Sequence, residues 1–198
     1  MQDKRELQWD FSAIKHRLKP NNLNSEMIVR AARLKNFEGT PTLIDATAGL
    51  GEDGFILAAY GFNVMLYEYN QVIYGILKEA LDHAKDDPEL EEIIRRMKLF
   101  NEDSMKALPT LAGKADVVYL DPMFPKRKKS GLIKKKFQVL QELELPCPDE
   151  EGLLLAALSA KPKKVVIKRP LKAPALAGRK PDYSIKGSVI RYDCITNL

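Results

Sequence analysis

The stretch TLIDATAGLGEDG, residues 42–54, joins a short apolar run to a glycine-rich turn. A buried strand that is followed by glycines and then by a helical pattern begins a βαβ unit, because glycine lets the backbone turn tightly into the helix. Gly49, Gly51 and Gly54 match the pattern G-x-G-x-x-G. Glu68 follows at the spacing of an acid that binds ribose hydroxyls. The stretch predicts an adenosine-bearing cofactor, against the simpler reading of an ordinary strand-to-helix turn.

Short β-rich runs alternate with helical stretches after this turn. Such alternation predicts βαβ units and a mostly parallel sheet covered on both faces. We therefore expect an α/β, Rossmann-like fold with a twisted, mostly parallel sheet, helices on both faces and an antiparallel C-terminal strand. The predicted strands are 42–46, 63–68, 98–103, 116–122 and 164–170, with two more in 183–195, and the predicted helices are 55–61, 71–85 and 89–97.

Composition limits the class of protein. A chain of 198 residues predicts one domain, and 45% hydrophobic with 30% charged residues is ordinary for a globular protein. The sequence has neither an apolar run of membrane-spanning length nor a signal-peptide core, so we expect a cytoplasmic protein without a membrane partner. In that compartment Cys147 and Cys194 are expected as free thiols, with a single disulfide as the lesser alternative.

The first 40 residues differ in pattern from the rest. Residues 24–35 predict a helix capped by Asn24 or Ser25, and the preceding KPNNLN reads as a loop. We expect residues 1–40 to form a helical accessory segment, a lid beside the sheet. Residues 41–198 would then be the Rossmann-like core of a single domain spanning 1–198.

The acids near the glycine loop indicate which cofactor it holds. Glu52 and Asp53 follow Gly51 and would begin the helix. A dinucleotide places its pyrophosphate at such a helix start, where two carboxylates would repel it. S-adenosylmethionine carries an ammonium and a sulfonium and no phosphate, so it suits these acids better. Further candidate contacts lie at strand ends: Asp45, Gly49 and Gly51 on the loop, Glu68 for ribose, and Asp103 with Ser104 for adenine. For Glu68 and Asp103 the alternative is a solvated loop carboxylate.

The stretch YLDPMFP, residues 119–125, follows the fourth predicted strand. An Asp-Pro pair followed by an aromatic residue is suited to methylation of an exocyclic amine. The carboxylate of Asp121 and the carbonyl of Pro122 can accept the amine's hydrogen bonds and stabilise positive charge on nitrogen. Phe124 can stack on an extruded base. We predict catalytic roles for these three residues, against the alternative of a turn with a packed phenylalanine.

A nicotinamide dehydrogenase is the competing interpretation of the glycine loop. Such an enzyme needs a proton relay, commonly built on histidine or a Tyr-Lys pair. The only histidines, His16 and His83, lie at no predicted strand end. Histidine, cysteine and carboxylate spacings also predict no metal site.

Basic residues follow the Asp-Pro loop directly. The net charge is +5, and the segment KRKKSGLIKKK at 126–136 contains seven lysines and arginines without an acid. Such a segment predicts contact with RNA phosphates, which adds affinity rather than sequence specificity, although a solvated charged face is the alternative. The candidate RNA-binding residues are Lys126, Arg127, Lys128, Lys129, Lys134 and Lys135, with Lys168 and Arg169 at the end of the fifth strand. For Lys168 and Arg169 we expect contact with substrate or support of the catalytic loop, and a structural role is equally expected.

Several stretches together resemble the ribosomal small subunit methyltransferase J family. They are DATAGLGEDG, VVYLDPMFPKRKKSGLIKKKFQVLQ, KKVVIKRPLKAPAL, KGSVIRYD and the early HRLKPNNLNSEMIVRAARLK. The resemblance runs from about residue 10 to residue 195. Three departures stand out: the family's additional N-terminal subdomain is missing, residues 21–24 are rich in asparagine, and Glu52 and Tyr69 replace residues that are often basic.

The resemblance implies a class I methyltransferase fold, S-adenosylmethionine as donor with S-adenosylhomocysteine as product, and the N2 amine of a guanine in 16S rRNA or the small ribosomal subunit as acceptor. By motif position it carries cofactor contacts onto Glu52, Asp53, Glu68, Tyr69, Asp103, Ser104 and Asp121. Two alternatives stay open. One is a methyltransferase for another amine, such as adenine N6 or a protein side chain, and the other is a non-catalytic RNA-binding or assembly factor.

Overall fold

A computed structural model describes residues 9–123, 147–196 and 198. Its seven strands form one sheet in the order β3-β2-β1-β4-β5-β7-β6. The first five strands along the chain pair in parallel, and β7 is antiparallel to both β5 and β6. The expected mixed sheet with an antiparallel C-terminal end is therefore confirmed. The strands are β1 Thr42–Asp45, β2 Asn63–Tyr67, β3 Met97–Phe100, β4 Val117–Leu120, β5 Lys164–Pro170, β6 Tyr183–Lys186 and β7 Ile190–Ile195.

Helices connect the strands and cover both faces of the sheet. The α-helices are α1 Pro20–Ser25, α2 Met27–Ala32, α3 Glu52–Tyr60, α4 Gln71–Ala84, α5 Glu91–Ile94, α6 Ser104–Ala107 and α7 Glu150–Ser159, and the 3-10 helices are Phe11–Leu18, Leu108–Leu111 and Leu176–Gly178. Within these ranges no helix is both long and apolar enough to cross a membrane. Both cysteines are free thiols, as expected.

The alternation of side chains along the central strands explains the two cores. Leu43 packs with α2, α3 and α4 on one face, and its neighbour Ile44 packs with α7 on the other. In β4, Val117 and Val118 divide in the same way. Successive residues of a strand point to opposite faces, so continuously apolar strands need cover on both sides. A parallel sheet with helices on both faces provides that cover.

The N-terminal segment departs from the expectation. KPNNLN was expected to be a loop but forms most of α1, with Pro20 in its first turn, where the missing N–H costs no hydrogen bond. Glu26 separates α1 from α2, so the expected single helix 24–35 with an Asn24 or Ser25 cap is wrong. Phe11 stacks on Phe55 at 4.5 Å between ring centres and is fully buried. The segment therefore packs into the core instead of lying beside the sheet as an accessory lid.

Several short elements also differ from the expectation. The predicted helix 89–97 is reduced to α5, because Met97 already begins β3. Helix α3 starts three residues before the predicted residue 55, and α6 and α7 were not predicted. The side chains of Asp103 and Asp149 cap α6 and α7 at their N-termini. These caps were present in the sequence as signals for helix starts.

The turn between β1 and α3 depends on Gly51. Its φ of 75° lies in the left-handed region, and it is the N-cap of α3. A Cβ at this position would lie 2.8 Å from Cδ1 of Leu77 in α4. Glycine is therefore required twice, once for the backbone angle and once for the close approach of α4.

We predict that Gly51→Ala destabilises the protein by more than Gly113→Ala does. Gly113 has nearly the same φ, 74°, with nothing within 4 Å of its added Cβ, so it isolates the backbone cost of about 1 kcal/mol. Crowding against Leu77 should add about 1–3 kcal/mol at Gly51. Urea denaturation of both variants measures the difference, and equal losses would show that α4 does not press on the turn.

Candidate functional site

The carboxyl ends of β1, β2, β4 and β5 gather the polar residues of the candidate site. Asp45 ends β1 and Asp121 follows β4, and these two strands are neighbours with Asp45 opposite Tyr119. Strand order reverses between β1 and β4, since the chain continues outward through β2 on one side and through β5 on the other. Ligands of open α/β sheets bind at such a switch point.

An ammonium lies between two carboxylates at this point. Nζ of Lys168 is 2.8 Å from Oδ2 of Asp53 and 2.9 Å from Oδ2 of Asp121. The hydroxyl of Tyr119 also donates to Oδ2 of Asp53, at 2.6 Å. Lys168 therefore joins the first turn of α3, which belongs to the glycine loop, to the loop after β4.

Burial and charge act in opposite directions on this cluster. Burial alone would lower the pKa of Lys168, but the charges of Asp53 and Asp121 outweigh it and raise the pKa above its ordinary value. Burial, reinforced by Asp53 and Asp121, raises the pKa of the Tyr119 phenol well above its usual value. Lys168 is thus charged and Tyr119 is a neutral hydrogen-bond donor at neutral pH.

A second link joins the same two loops through Thr47. The side chain of Asp45 accepts a hydrogen bond from the backbone N–H of Thr47 at 3.1 Å. The hydroxyl oxygen of Thr47 accepts from the backbone N–H of Asp121 at 2.7 Å. The backbone position of Asp121 is therefore fixed from β1, and its carboxylate is fixed from β5.

Glu68 fastens the glycine loop to the end of β2. Its carboxylate accepts from the N–H of Gly49 at 2.9 Å and from the N–H of Asn70 at 2.7 Å. The side chain of Asn101 donates to the carbonyl oxygens of Glu68 and Tyr69, at 2.8 and 3.3 Å. Tyr69 itself is 74% exposed beside this turn. Glu68 thus ties the glycine loop to the end of β2, with Tyr69 exposed beside it.

Asp103 and Ser104 follow β3 on the same edge of the sheet. Asp103 caps α6 by accepting from the N–H of Met105 at 3.0 Å, and Ser104 is buried. An adenine amine at Asp103 would have to share this capping carboxylate.

Acids, and not bases, occupy the start of α3. Glu52 and Asp53 form its first turn. Burial raises the pKa of Glu52, with Asp53 adding to the rise and Arg17 opposing it. Arg17 is held in place by Glu26, at 2.7 and 2.9 Å. A pyrophosphate at this helix start would meet the carboxylate of Glu52, which repels it and attracts a cationic ligand, while Asp53 is already paired with Lys168.

These observations fit S-adenosylmethionine. Gly49 has no side chain and a φ of 55°, so a ligand can approach its backbone closely, whereas the missing side chain of Gly51 makes room for Leu77. The acids at α3 suit its ammonium and sulfonium, and Glu68 suits its ribose. Among the described residues no group of three or more His, Cys, Asp or Glu is arranged to hold a metal ion.

Comparison with known proteins identifies the family of this chain. Residues 2–197 match the family model described as "Putative SAM-dependent methyltransferase". Ribosomal RNA small subunit methyltransferase J of Pseudomonas aeruginosa is 42% identical over 180 residues, which are 90% of this chain and 68% of that protein. The chain belongs to the ribosomal RNA small subunit methyltransferase J family.

Two further relatives support the assignment to the methyltransferase J family. The enzyme of the same name from Hydrogenovibrio crunogenus is 45% identical over 156 residues, or 77% of this chain, and the chain spans 56% of its length. A SAM-dependent methyltransferase from Neisseria gonorrhoeae has a crystal structure that superposes with a TM-score of 0.75, at 30% identity, covering 96% of this chain and 74% of that one. The class I methyltransferase fold expected from the sequence is therefore confirmed.

The structure brings together several of the residues expected at the cofactor and the acceptor. Thr47 and Lys168 join Asp45, Asp121 and Asp53, and a separate hydrogen bond joins Gly49 to Glu68. Pro122 is buried directly after Asp121. Some residues expected to act lie outside the described part of the chain: Phe124, Lys126, Arg127, Lys128, Lys129, Lys134 and Lys135.

Two residues expected to bind RNA phosphates are placed elsewhere. Arg169 is only 1% exposed and donates to Glu150 at 2.8 Å and to the carbonyl of Pro174 at 3.0 Å. It holds α7 and the following loop, so the prediction of phosphate contact is wrong for Arg169. Lys168 faces the interior of the site with both carboxylates beside it, and this position corresponds to the alternative of supporting the catalytic loop.

Three residues of the site were not found from the sequence. Tyr119, Thr47 and Arg17 carry no motif by themselves, although a phenol within the apolar strand VVYL is a visible anomaly. A buried hydroxyl needs a partner, so Tyr119 indicated a polar neighbour on the covered face of β4. Which neighbour it was, Asp53, depended on the packing of α3.

We predict that Asp45→Asn becomes more stable relative to the wild type as pH rises. Asp45 is 1% exposed, and burial raises its pKa well above the ordinary 3.8, with the charges of Asp53 and Asp121 adding to the rise. The contribution of Asp45 to the free energy of unfolding is fully present below its ordinary pKa. It is lost as pH rises toward the raised pKa of the folded state, so the wild type loses stability that Asp45→Asn keeps. In that window the slope is about 1.4 kcal/mol per pH unit.

This difference is measured by urea denaturation of wild type and Asp45→Asn at several pH values from about 4 upward, roughly one unit apart. Asparagine retains an oxygen that can accept from Thr47, so the local hydrogen bond is kept. A stability difference that does not change with pH would contradict the raised pKa of Asp45.

Proposed function

We propose that this chain transfers a methyl group from S-adenosylmethionine to the exocyclic N2 amine of a guanine in 16S rRNA, as one domain spanning residues 1–198. The observation that carries the proposal is the position of Asp121: it lies at the switch point of the sheet, between the cofactor loop and the end of β5. The relatives are ribosomal RNA small subunit methyltransferases, which supports small-subunit rRNA as the substrate class.

The reacting methyl group is made electrophilic by the sulfonium of the donor. The chain's own task is to hold the acceptor nitrogen in line with that methyl group, because positioning provides much of the rate in such a transfer. The carboxylate of Asp121 and the carbonyl of Pro122 would accept hydrogen bonds from the two N–H groups of the amine. The same carboxylate would stabilise the positive charge that develops on nitrogen as the C–N bond forms and the bond from the methyl carbon to sulfur breaks. S-adenosylhomocysteine would then leave, and one amine proton would pass to solvent.

Lys168 has a positioning role in this proposal. Its ammonium holds Oδ2 of Asp121 at 2.9 Å, and the N–H of Asp121 is held by Thr47. A carboxylate fixed at both its backbone and its side chain keeps a single orientation toward the amine. Phe124, with Pro122, would form the wall on which the extruded guanine stacks.

The cofactor would lie along the carboxyl edge of β1, β2 and β3. Backbone groups of the loop at Gly49 and Gly51 would contact its methionine part, with Glu52 and Asp53 facing the cationic groups. The proposed contacts as a set are Asp45, Gly49, Gly51, Glu52, Asp53, Glu68, Tyr69, Asp103, Ser104 and Asp121.

The segment after Asp121 is proposed to contact RNA. Lys126, Arg127, Lys128, Lys129, Lys134 and Lys135 would bind phosphates beside the acceptor base. The partner would be 16S rRNA or the assembling small subunit in the cytoplasm, with neither a metal ion nor a membrane taking part.

We predict that Asp121→Asn lowers the rate of methyl transfer at least about 100-fold, as expected for loss of a charge that stabilises the transition state. Binding of S-adenosylhomocysteine should change much less. Asp82→Asn is the matched control, because Asp82 is an exposed carboxylate of α4 that contacts Lys78 and Lys85. The measurement is transfer of labelled methyl from S-adenosylmethionine to unmodified small subunits, naked rRNA and DNA, followed by digestion and nucleoside mass spectrometry.

Labelled N2-methylguanosine that is lost in Asp121→Asn and kept in Asp82→Asn is the expected outcome. Label in N6-methyladenosine or in protein would reassign the acceptor. Cofactor binding without any transfer would favour a non-catalytic assembly factor. Stabilisation of the fold by NAD instead of S-adenosylhomocysteine would overturn the assignment of the cofactor.

A further inference from the structure

A basic groove lies at the amino-terminal end of β5, whereas the candidate site lies at the carboxyl ends of the parallel strands. It has a volume of about 800 Å³ and includes Arg30, Arg33, Lys35, Lys163, Lys164 and Tyr183 in its lining. Lys164 begins β5 and Lys168 lies four residues further along, which is about 13 Å of strand. The groove is therefore separate from the cluster around Asp121.

The charges of this groove are poorly compensated within the protein. Lys163 pairs with Asp116 at 2.8 Å, and it is the one cation of the lining for which an ion pair is recorded among the described residues. Lys164 is only 5% exposed, and its ammonium donates to the carbonyls of Ala31 and Arg33 instead of to a carboxylate. Asp116 and Asp182, which bonds Thr196 of the lining, are the acids recorded beside these five cations in the described part of the chain. The cations outnumber them, and such an excess of positive charge attracts a polyanion.

Aromatic side chains adjoin the cations. A second cavity of about 350 Å³ shares Arg33 and Leu34 with the groove and is lined further by Phe37, Tyr60 and Phe62. Nζ of Lys163 lies 4.3 Å from the ring centre of Phe37, and the guanidinium of Arg33 lies 5.4 Å from that of Tyr60. Cations interleaved with aromatic rings suit phosphates together with unstacked bases, which is the chemistry of a single-stranded nucleic acid.

We propose that this groove is a second RNA-binding site. It binds the backbone of a single-stranded segment at the end of the strands opposite the methylated base. The inference rests on the proposed function, since it assumes an RNA substrate. It gives the chain a contact with RNA that is independent of the basic segment after Asp121. Arg30, Arg33 and Lys35 are exposed and would contact phosphates, while Lys164 supplies a fixed charge at the base of the groove.

The test compares two double variants with the same loss of charge. Arg30→Gln with Lys35→Gln removes one arginine and one lysine from the groove. Arg95→Gln with Lys98→Gln removes the same pair of residue types near β3, at the far edge of the sheet. Binding of a 16S rRNA fragment is measured for wild type and both variants over a range of salt concentrations, with S-adenosylhomocysteine binding as a check of the fold.

The groove variant should bind RNA about tenfold more weakly, and the slope of log affinity against log salt should fall by about 1.5, since each lost phosphate contact on a single strand removes about 0.7. The variant near β3 should bind within about twofold of wild type, because it removes no phosphate contact. Equal effects of the two variants would overturn the second site. The second site would also be overturned if a mononucleotide binds in the groove but the groove variant binds RNA as tightly as wild type does.

The failure of this inference is distinct from the failure of the proposed function. If wild type produces N2-methylguanosine and the groove variant binds RNA as wild type does, the second site is refuted and the function stands. If wild type neither binds nor methylates the rRNA fragment or the small subunit, both are refuted.

Discussion

The ammonium of Lys168 is the contact on which the candidate site depends. It reaches Asp53 of the cofactor loop and Asp121 of the acceptor loop from a third strand, within 2.9 Å of each. Without it, two carboxylates would face each other in a half-buried space, which is costly in free energy. Lys168 therefore allows the acids that suit a cationic donor to lie beside the acid that orients the amine.

The sheet order makes this contact possible. Strands β1, β4 and β5 are consecutive in the sheet, so their carboxyl ends bring the glycine loop, Asp121 and Lys168 together. Thr47 adds a backbone link between the same loops. The opposite ends of the strands carry a different chemistry, in which cations outnumber the acids beside them and adjoin aromatic rings. One sheet thus separates the candidate site from the groove that we propose binds RNA.

Much of this arrangement could be predicted from the sequence. Alternating apolar runs indicated the sheet, and the placement of Asp45, Glu68 and Asp121 after predicted strands indicated one shared edge. Contacts between distant segments could not be predicted, because they depend on how helices pack. The burial of Phe11 in the core and the burial of Arg169 beside Glu150 both belong to this second kind.

A double-mutant cycle on Lys168 and Asp121 tests the central claim most directly. The free energy of unfolding is measured for wild type, Lys168→Gln, Asp121→Asn and the double variant. Lys168→Gln removes the ammonium that holds Asp121, whereas Lys168 keeps its contact with Asp53 in Asp121→Asn. Because both single changes break the same Lys168–Asp121 pair, the account predicts that the double variant loses about 1–3 kcal/mol less than the two single losses together. Additive losses, within about 0.5 kcal/mol, would show that Lys168 does not hold Asp121.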